Sequence, residues 1–343
     1  MLYSLARPLL FSLDPETAHS VTLRLAELAS ILPRKVPAAR VRVMGIDFPN
    51  PVGAAAGLDK HAEHVDALAA LGFGYLELGG VTPRPQPGND RPRLFRVADA
   101  RAIINRFGFN SVGVEAFTEN LKRARTRAVI GVNLGKNRDT PIEHAAEDYE
   151  RSMEVLYTHV HYLTINVSSP NTKDLRTLQS ASMLDRLLKR MSRKREVLRQ
   201  RHGRNVALVL KISPDIDDAA IRDIADVARR ERVDGLIATN TTVSREAVAA
   251  LPYGSEEGGL SGAPLRERAT RVLKEFSALL KNEVPLIGSG GIMSGADARE
   301  KFEAGASLVQ IYSGLVYRGP RLIAECVGAF TETDELRRSA HRH

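Results

Sequence analysis

Eight short apolar runs, each separated from the next by a stretch of helical amphipathic spacing, constrain this chain more than any other feature. The runs are Val52–Ala55, Tyr75–Leu78, Val129–Val132, Tyr162–Ile165, Ala207–Leu210, Gly235–Ala238, Leu286–Gly288 and Leu308–Ile311. Apolar runs of that length read as strands buried on both faces. Strands alternating with helices imply a parallel sheet, and eight is the number that closes such a sheet on itself. At 343 residues the chain suits one α/β fold, a single (β/α)8 TIM barrel with additions. No linker rich in Gly, Ser or Pro divides it.

The additions lie at the ends. Residues 1–40 read as an N-terminal two-helix extension. Asp14 as N-cap and Pro15 at the first helical position start the second helix. The apolar members are Leu2, Leu5, Leu9, Leu10 and Phe11, then Val21, Leu25, Leu28, Ile31 and Leu32, with Pro33 and Pro37 closing the segment. Residues 41–336 form the barrel, with a small hairpin, Arg40–Val43 and Ile46–Phe48, at its entrance. Residues 337–343 are a basic tail expected to fray.

No apolar run reaches the roughly 18–20 residues of a membrane span. Met1 to Leu13 lacks the pattern of a secretory signal, since Arg7 and Pro8 interrupt it. Cys326 is the only cysteine, so no disulfide forms within the chain, and no tight Cys/His/Asp cluster suggests a metal site. The net charge of +8 permits attraction to anionic substrates, lipid or nucleic acid without choosing among them. Arg186, Lys189, Arg190, Arg193 and Lys194 lie between Leu184, Leu187, Leu188, Met191 and Leu198. That is the solvent face of an amphipathic outer helix, without interleaved aromatic residues to stack on bases; nucleic-acid binding is not expected.

Barrels of this kind keep their chemistry at the carboxyl ends of the strands. In this chain those ends carry Ala56-Gly57-Leu58-Asp59-Lys60, Gly79-Gly80-Val81-Thr82-Pro83, Asn133, Asn166, Lys211, Thr239-Asn240-Thr241-Thr242, Gly288-Ser289-Gly290-Gly291 and Tyr312-Ser313-Gly314. Glycines, carboxamides and two lysines therefore ring one mouth. The ring has no His, Cys or acid pair suited to hydrolysis. It suits a large, flat, hydrogen-bonding ligand with negative charge. Gly262, Gly290-Gly291 and the Tyr312-Ser313 amides suit a phosphate, although Gly290-Gly291 alone reads equally as a tight turn. Lys211 either sits beside a flavin ring or snorkels to solvent. The run Asn166-Val167-Ser168-Ser169-Pro170-Asn171-Thr172 is the most informative of all. Pro170 has a restricted φ and biases Ser169 towards extended geometry, so the serine is aimed.

The motifs Ala55-Ala56-Gly57-Leu58-Asp59-Lys60, Thr82 to Asn89, Asn105 to Asn110, Gly135-Lys136-Asn137, Asn166 to Thr172, Ala238 to Thr242, Gly259 to Gly262 and Gln310-Ile311-Tyr312 together resemble the dihydroorotate dehydrogenase family. Two features resemble its quinone-dependent class 2. Ser169 stands where class 1 members carry a catalytic cysteine. Arg7-Pro8-Leu9 and Leu13 to His19 resemble the class 2 quinone-tunnel extension.

The resemblance implies oxidation of (S)-dihydroorotate to orotate in de novo pyrimidine (UMP) biosynthesis. FMN would accept a hydride, and a membrane quinone, ubiquinone or menaquinone, would be the final acceptor. Ser169 would be the base, with Thr172 and a water near Phe109 as relay. FMN would meet Ala55, Ala56, Gly57, Leu58, Asp59, Gly80, Asn133, Asn166, Lys211, Thr239, Gly262, Gly291, Tyr312 and Ser313. The substrate would meet Lys60, Asn105, Arg106, Phe107, Gly108, Phe109, Asn166, Asn171, Asn240 and Thr241. His19, Arg96 and Tyr312 match positions on the quinone side. Met1 to Pro37 would form the quinone entrance and a peripheral contact on the cytoplasmic face of a bacterial inner membrane, in a protein expected to be monomeric.

Two departures stand out. Gly80 occupies a position where many relatives have threonine, and Lys173-Asp174 a lid position where Pro-Gly is common. The alternatives are a different FMN barrel oxidoreductase, class 1-like with fumarate or NAD as acceptor, or a non-redox phosphate-binding aldolase or isomerase with Lys211 as its reactive lysine.

Overall fold

The computed structural model describes residues 2–29 and 36–340. Two helices come first, α1 (Leu2–Ser12) and α2 (Pro15–Ala29). At their junction Asp14 accepts the Thr17 backbone N–H at 2.9 Å, the cap expected of it. The expected closure at Pro33, with Ile31, Leu32, Arg34 and Lys35, falls outside the described residues. No helix among the described residues is long and apolar enough to cross a membrane.

Strands β1 (Val41–Val43) and β2 (Ile46–Phe48) pair antiparallel as the expected hairpin. The barrel begins with β3 (Val52–Ala54) and β4 (Tyr75–Val81). β5 (Leu94–Val97) and β6 (Ala102–Asn105) then leave it. It resumes with β7 (Val129–Leu134), β8 (Tyr162–Asn166), β9 (Ala207–Ile212) and β10 (Gly235–Ala238). β11 (Gly259–Gly262) departs again, and β12 (Leu286–Ser289) and β13 (Ala306–Ile311) close the ring. The closed order is β10-β12-β13-β3-β4-β7-β8-β9, parallel throughout. All eight expected strands form. β4 runs past its expected end at Leu78 because Gly79 and Val81 still pair with β7.

Alternation along each strand stacks side chains in layers on the axis. Tyr75 and Tyr162 fill the lower layer and meet edge to face, with centroids 6.3 Å apart. Glycines opposite make room for them. A Cβ on Gly53 would lie 2.2 Å from the Tyr75 ring, and one on Gly131 1.9 Å from the Tyr162 ring. Val43 and Phe48 of the hairpin pack with both tyrosines and with Val209, Ile237, Ile287 and Leu308. The hairpin therefore seals the amino-terminal end of the barrel. It does not guard the open mouth.

A second sheet, β11-β6-β5, is antiparallel and stands over one side of that mouth. It was not legible in the strand–helix rhythm. The N-terminal helices dock against it and the adjoining chain. Arg96 of β5 donates to the carbonyls of Leu10, at 3.1 Å, and Leu13. Arg93 donates to Glu16 at 2.8 Å, and Arg7 to the Tyr317 carbonyl at 2.8 Å.

The outer helix Ala181–His202 buries Leu184, Leu187, Leu188, Met191 and Leu198, as its spacing predicts. Part of its basic face is spent on neighbours, with Arg190 on Glu150 at 2.7 Å and Lys194 on Glu154 at 2.5 Å. The last helix, Arg321–Ala340, continues beyond residue 336, while the final three residues of the tail lie outside the described residues.

Candidate active site

The mouth opens on a cavity of about 1120 Å³, counting its opening. Beneath its floor lies a residue the sequence reading passed over. Glu77 is enclosed in the barrel with no side-chain exposure. Its carboxylate accepts from Asn133 Nδ2 at 2.8 Å and Lys211 Nζ at 3.3 Å on Oε1. On Oε2 it accepts from Gln310 Nε2 at 2.7 Å and Tyr162 OH at 3.4 Å. The one available signal was an acid in the middle of an apolar run, Tyr75-Leu76-Glu77-Leu78. Lys211 does not snorkel; it is 5% exposed and lines the cavity.

Above Glu77 the carboxamides form a chain. Asn166 Nδ2 donates to Asn133 Oδ1 at 2.8 Å. Asn166 Oδ1 in turn accepts from Ser168 Oγ at 3.1 Å and Asn240 Nδ2 at 3.3 Å. Across the mouth Asn171 Nδ2 donates to Asn105 Oδ1 at 3.2 Å. Ser169 is 8% exposed and lines the same cavity, its Oγ accepting, among the described residues, only a long 3.3 Å bond from the Asn171 N–H. The nearby Thr172 Oγ1 is buried with no hydrogen-bond partner among the described residues.

The loop bearing Ser169 is clamped by Arg176, a residue the motif reading did not single out. Its guanidinium donates to the Ser168 carbonyl at 3.1 Å, the Thr241 carbonyl at 3.2 Å and Asp215 at 3.1 Å. Asp215 also receives the Thr242 hydroxyl and Arg268.

One end of the cavity is built for close approach to backbone. Gly262 and Gly291 have φ of 97° and 79°, and a Cβ on either would stand 2.3 or 2.2 Å from another segment's backbone. Gly290, Tyr312 and Ser313 share that wall. Backbone amides freed of side chains suit a phosphate. Ala55, Ala56, Gly57, Gly80, Asn133, Asn166, Lys211 and Thr239 line the remainder of the floor and walls. Glycine at position 80 has a reason in this chain: a Cβ there would meet the Phe109 ring at 2.6 Å.

Lys60 enters from the side. Its ammonium donates to the Gly57 carbonyl at 2.8 Å and stands 3.8 Å from the Phe107 ring centroid. Burial lowers its pKa to about 8, against the opposing pull of Glu16. Phe107, Gly108, Phe109, Asn105, Asn171, Asn240 and Thr241 also line the cavity.

Three of the expected residues have side chains that lie outside the cavity lining. Leu58 turns into the hydrophobic core, so it does not line the cavity. Asp59 is spent on its own loop, accepting the backbone N–H groups of His61, Glu63 and His64. Arg106 points away to Glu256 at 2.6 Å and stacks 4.5 Å from the Phe95 ring centroid. In each case a motif located the backbone, and the side chain left in another direction. His19 and Arg96 also lie outside the cavity lining, whereas Tyr312 is part of it. Burial lowers the His19 pKa to about 3, helped by the charge of Lys60, so the imidazole is neutral. Arg96 is occupied with the Leu10 and Leu13 carbonyls and the Phe11 ring, 4.7 Å away.

A closed parallel barrel with a polar cavity at the carboxyl ends of its strands defines the class as an α/β barrel with its site at the mouth. The family model for dihydroorotate dehydrogenase matches residues 38–332. The chain belongs to the dihydroorotate dehydrogenase family. It is 55% identical over 335 residues to the dihydroorotate dehydrogenase (quinone) of Aromatoleum aromaticum, covering 97% of this chain and 96% of that protein. It is 52% identical to the protein of the same name from Acinetobacter baylyi, covering 96% of this chain and all of the relative. Among solved structures, Eimeria tenella DHODH in complex with ferulenol superposes with a TM-score of 0.85 at 38% identity, covering 92% of this chain and 90% of that one.

Proposed function

We propose that the protein oxidises (S)-dihydroorotate to orotate in pyrimidine biosynthesis and passes the electrons through FMN to a membrane quinone. The observation that carries this reading is Ser169, buried among carboxamides beside the glycine cradle. FMN, when bound, would supply the hydride acceptor. The residues present fit it. Gly262, Gly291, Tyr312 and Ser313 offer backbone to its phosphate, and Lys211, Asn133, Asn166 and Thr239 offer polar groups to its ring.

On the substrate, Lys60 meets the carboxylate, which restores a counter-charge to a desolvated ammonium. Asn105, Asn166, Asn171, Asn240 and Thr241 meet the planar ring, each carboxamide supplying donors and acceptors. Ser169 Oγ takes the proton from carbon 5 as the hydride leaves carbon 6. A serine hydroxyl is a weak base in water, so enclosure and an onward acceptor matter. The unpartnered Thr172 hydroxyl is suited to relay that proton, through a water near Phe109, to bulk solvent.

The N-terminal helices are read as the quinone approach and a peripheral membrane contact. Leu5, Leu9, Leu25 and Leu28 are 54–77% exposed on them. Such a surface favours a lipid interface.

Purified protein should be yellow and reduce its flavin on addition of dihydroorotate under anaerobic conditions. A folded sample that takes up no FMN refutes the reading. Leu9→Gln with Leu28→Gln should weaken binding to anionic vesicles on the order of tenfold while leaving dihydroorotate-driven flavin reduction intact. Unchanged vesicle binding refutes the membrane part alone.

A further inference from the structure

Glu77 is a costly residue in this position. Its neighbours along β4, Tyr75, Leu76 and Leu78, are fully buried, and its own side chain has no exposed surface. A buried charge is weak support for stability, since apolar residues of similar size serve as well or better. Its position instead relates it to the cavity. Three of its four donors, Asn133, Lys211 and Gln310, line the cavity, while Glu77 itself does not.

We propose that Glu77 is a positioning residue that sets the charge and hydrogen-bond polarity of the cavity floor, and through them the reduction potential of the flavin. The inference rests on the FMN reading above. Two consequences of the geometry support it.

The first is charge. Lys211 is the cation on the floor, and Glu77 Oε1 stands 3.3 Å from its ammonium. The pair is close to neutral as a unit, so the floor presents less positive charge than Lys211 alone would. The second is polarity. A carboxylate only accepts, so Asn133 must turn its Nδ2 down to it and its Oδ1 up. Asn166 must then donate to Asn133 and keep its own Oδ1 for Ser168 and Asn240. One acid thus decides which end of each carboxamide faces the ligand.

The test is the midpoint potential of FMN-loaded protein, measured for all variants at one fixed pH. Glu77→Gln removes the counter-charge and should favour the anionic reduced flavin. The expected change is at least tenfold in the reduced-to-oxidised ratio, about 30 mV upward for a two-electron couple. Glu77→Asp should lie nearer the wild type. Tyr162→Phe removes a bond to the same carboxylate without changing charge and should leave the potential within about threefold, or roughly 15 mV.

An unchanged potential in Glu77→Gln, or an equal shift in Tyr162→Phe, overturns the proposal. Should Glu77→Gln fail to fold, Lys211→Met and the double variant Glu77→Gln/Lys211→Met decide it. Lys211→Met should lower the potential, and adding Glu77→Gln should raise it again. A double variant no higher than Lys211→Met overturns the proposal. Wild-type protein that binds no flavin overturns the FMN reading instead, so the two failures are distinguishable.

Discussion

Replacing Ser169 with alanine separates chemistry from architecture. The hydroxyl accepts one hydrogen bond, a 3.3 Å contact from the Asn171 N–H. So long a bond contributes little, and its loss should cost under about 1 kcal/mol of stability. The clamp from Arg176 acts on the Ser168 carbonyl and is untouched by the change. The fold, the flavin and orotate affinity should therefore survive. A general base contributes about 10²–10⁴ in rate, equivalent to roughly 2.7–5.4 kcal/mol of barrier. The rate penalty should thus exceed the stability penalty severalfold. Anaerobic stopped-flow reduction of the flavin by dihydroorotate measures the first, and thermal melting the second. Ser169→Cys should retain part of the rate, because a thiol also accepts the proton. Reduction of Ser169→Ala at the wild-type rate would refute the assignment. A melting temperature that collapses with the rate would show that the hydroxyl is structural.

Lys60 supplies a pH dependence. Its folded pKa of about 8 lies below the ordinary 10.5, so orotate affinity should fall as pH rises through about 8, and Lys60→Met should flatten that limb in a binding titration. The unfolded chain binds the extra proton between those values, so this group makes stability rise with pH across that window, seen as a melting-temperature difference from Lys60→Met. His19 acts in the acid range. Its folded pKa of about 3 lies below the ordinary 6.5, so its contribution to stability is lost as pH falls below 6.5, and His19→Asn should gain on the wild type in melting temperature as the buffer is acidified. Arg176→Ala frees the Ser168 and Thr241 carbonyls and leaves Asp215 with Arg268. Denaturant unfolding should show a loss of roughly 2–4 kcal/mol, and wild-type stability would refute the clamp.

The barrel was legible because its strands are buried on both faces, which favours near-continuous apolar runs. β5, β6 and β11 fall outside the rhythm and were missed. β11 is Gly259-Leu260-Ser261-Gly262, with too few side chains to carry a period, and its pairing with β6 joins residues far apart in sequence. The cavity was legible at the level of backbone, since strand ends place Asn166, Lys211 and Thr239 there whatever their rotamers. Leu58, Asp59 and Arg106 show where that stops. Their direction depends on the hydrophobic core, the loop amides and Glu256, which only tertiary packing brings near. Glu77 was missed for the opposite reason. It lies one layer below the ring of strand ends, and its role is visible only once four other strands converge on it.

The tyrosine layer sealed by the hairpin makes the barrel a cup with a closed base. Nothing reaches the floor through that packed base. Part of the rim is the β11-β6-β5 wall, braced from outside by α1 and α2 through Arg93 and Arg96. Two reactants of different solubility then have one vessel between them. Either they take turns at a single opening, or the braced wall is itself the second door.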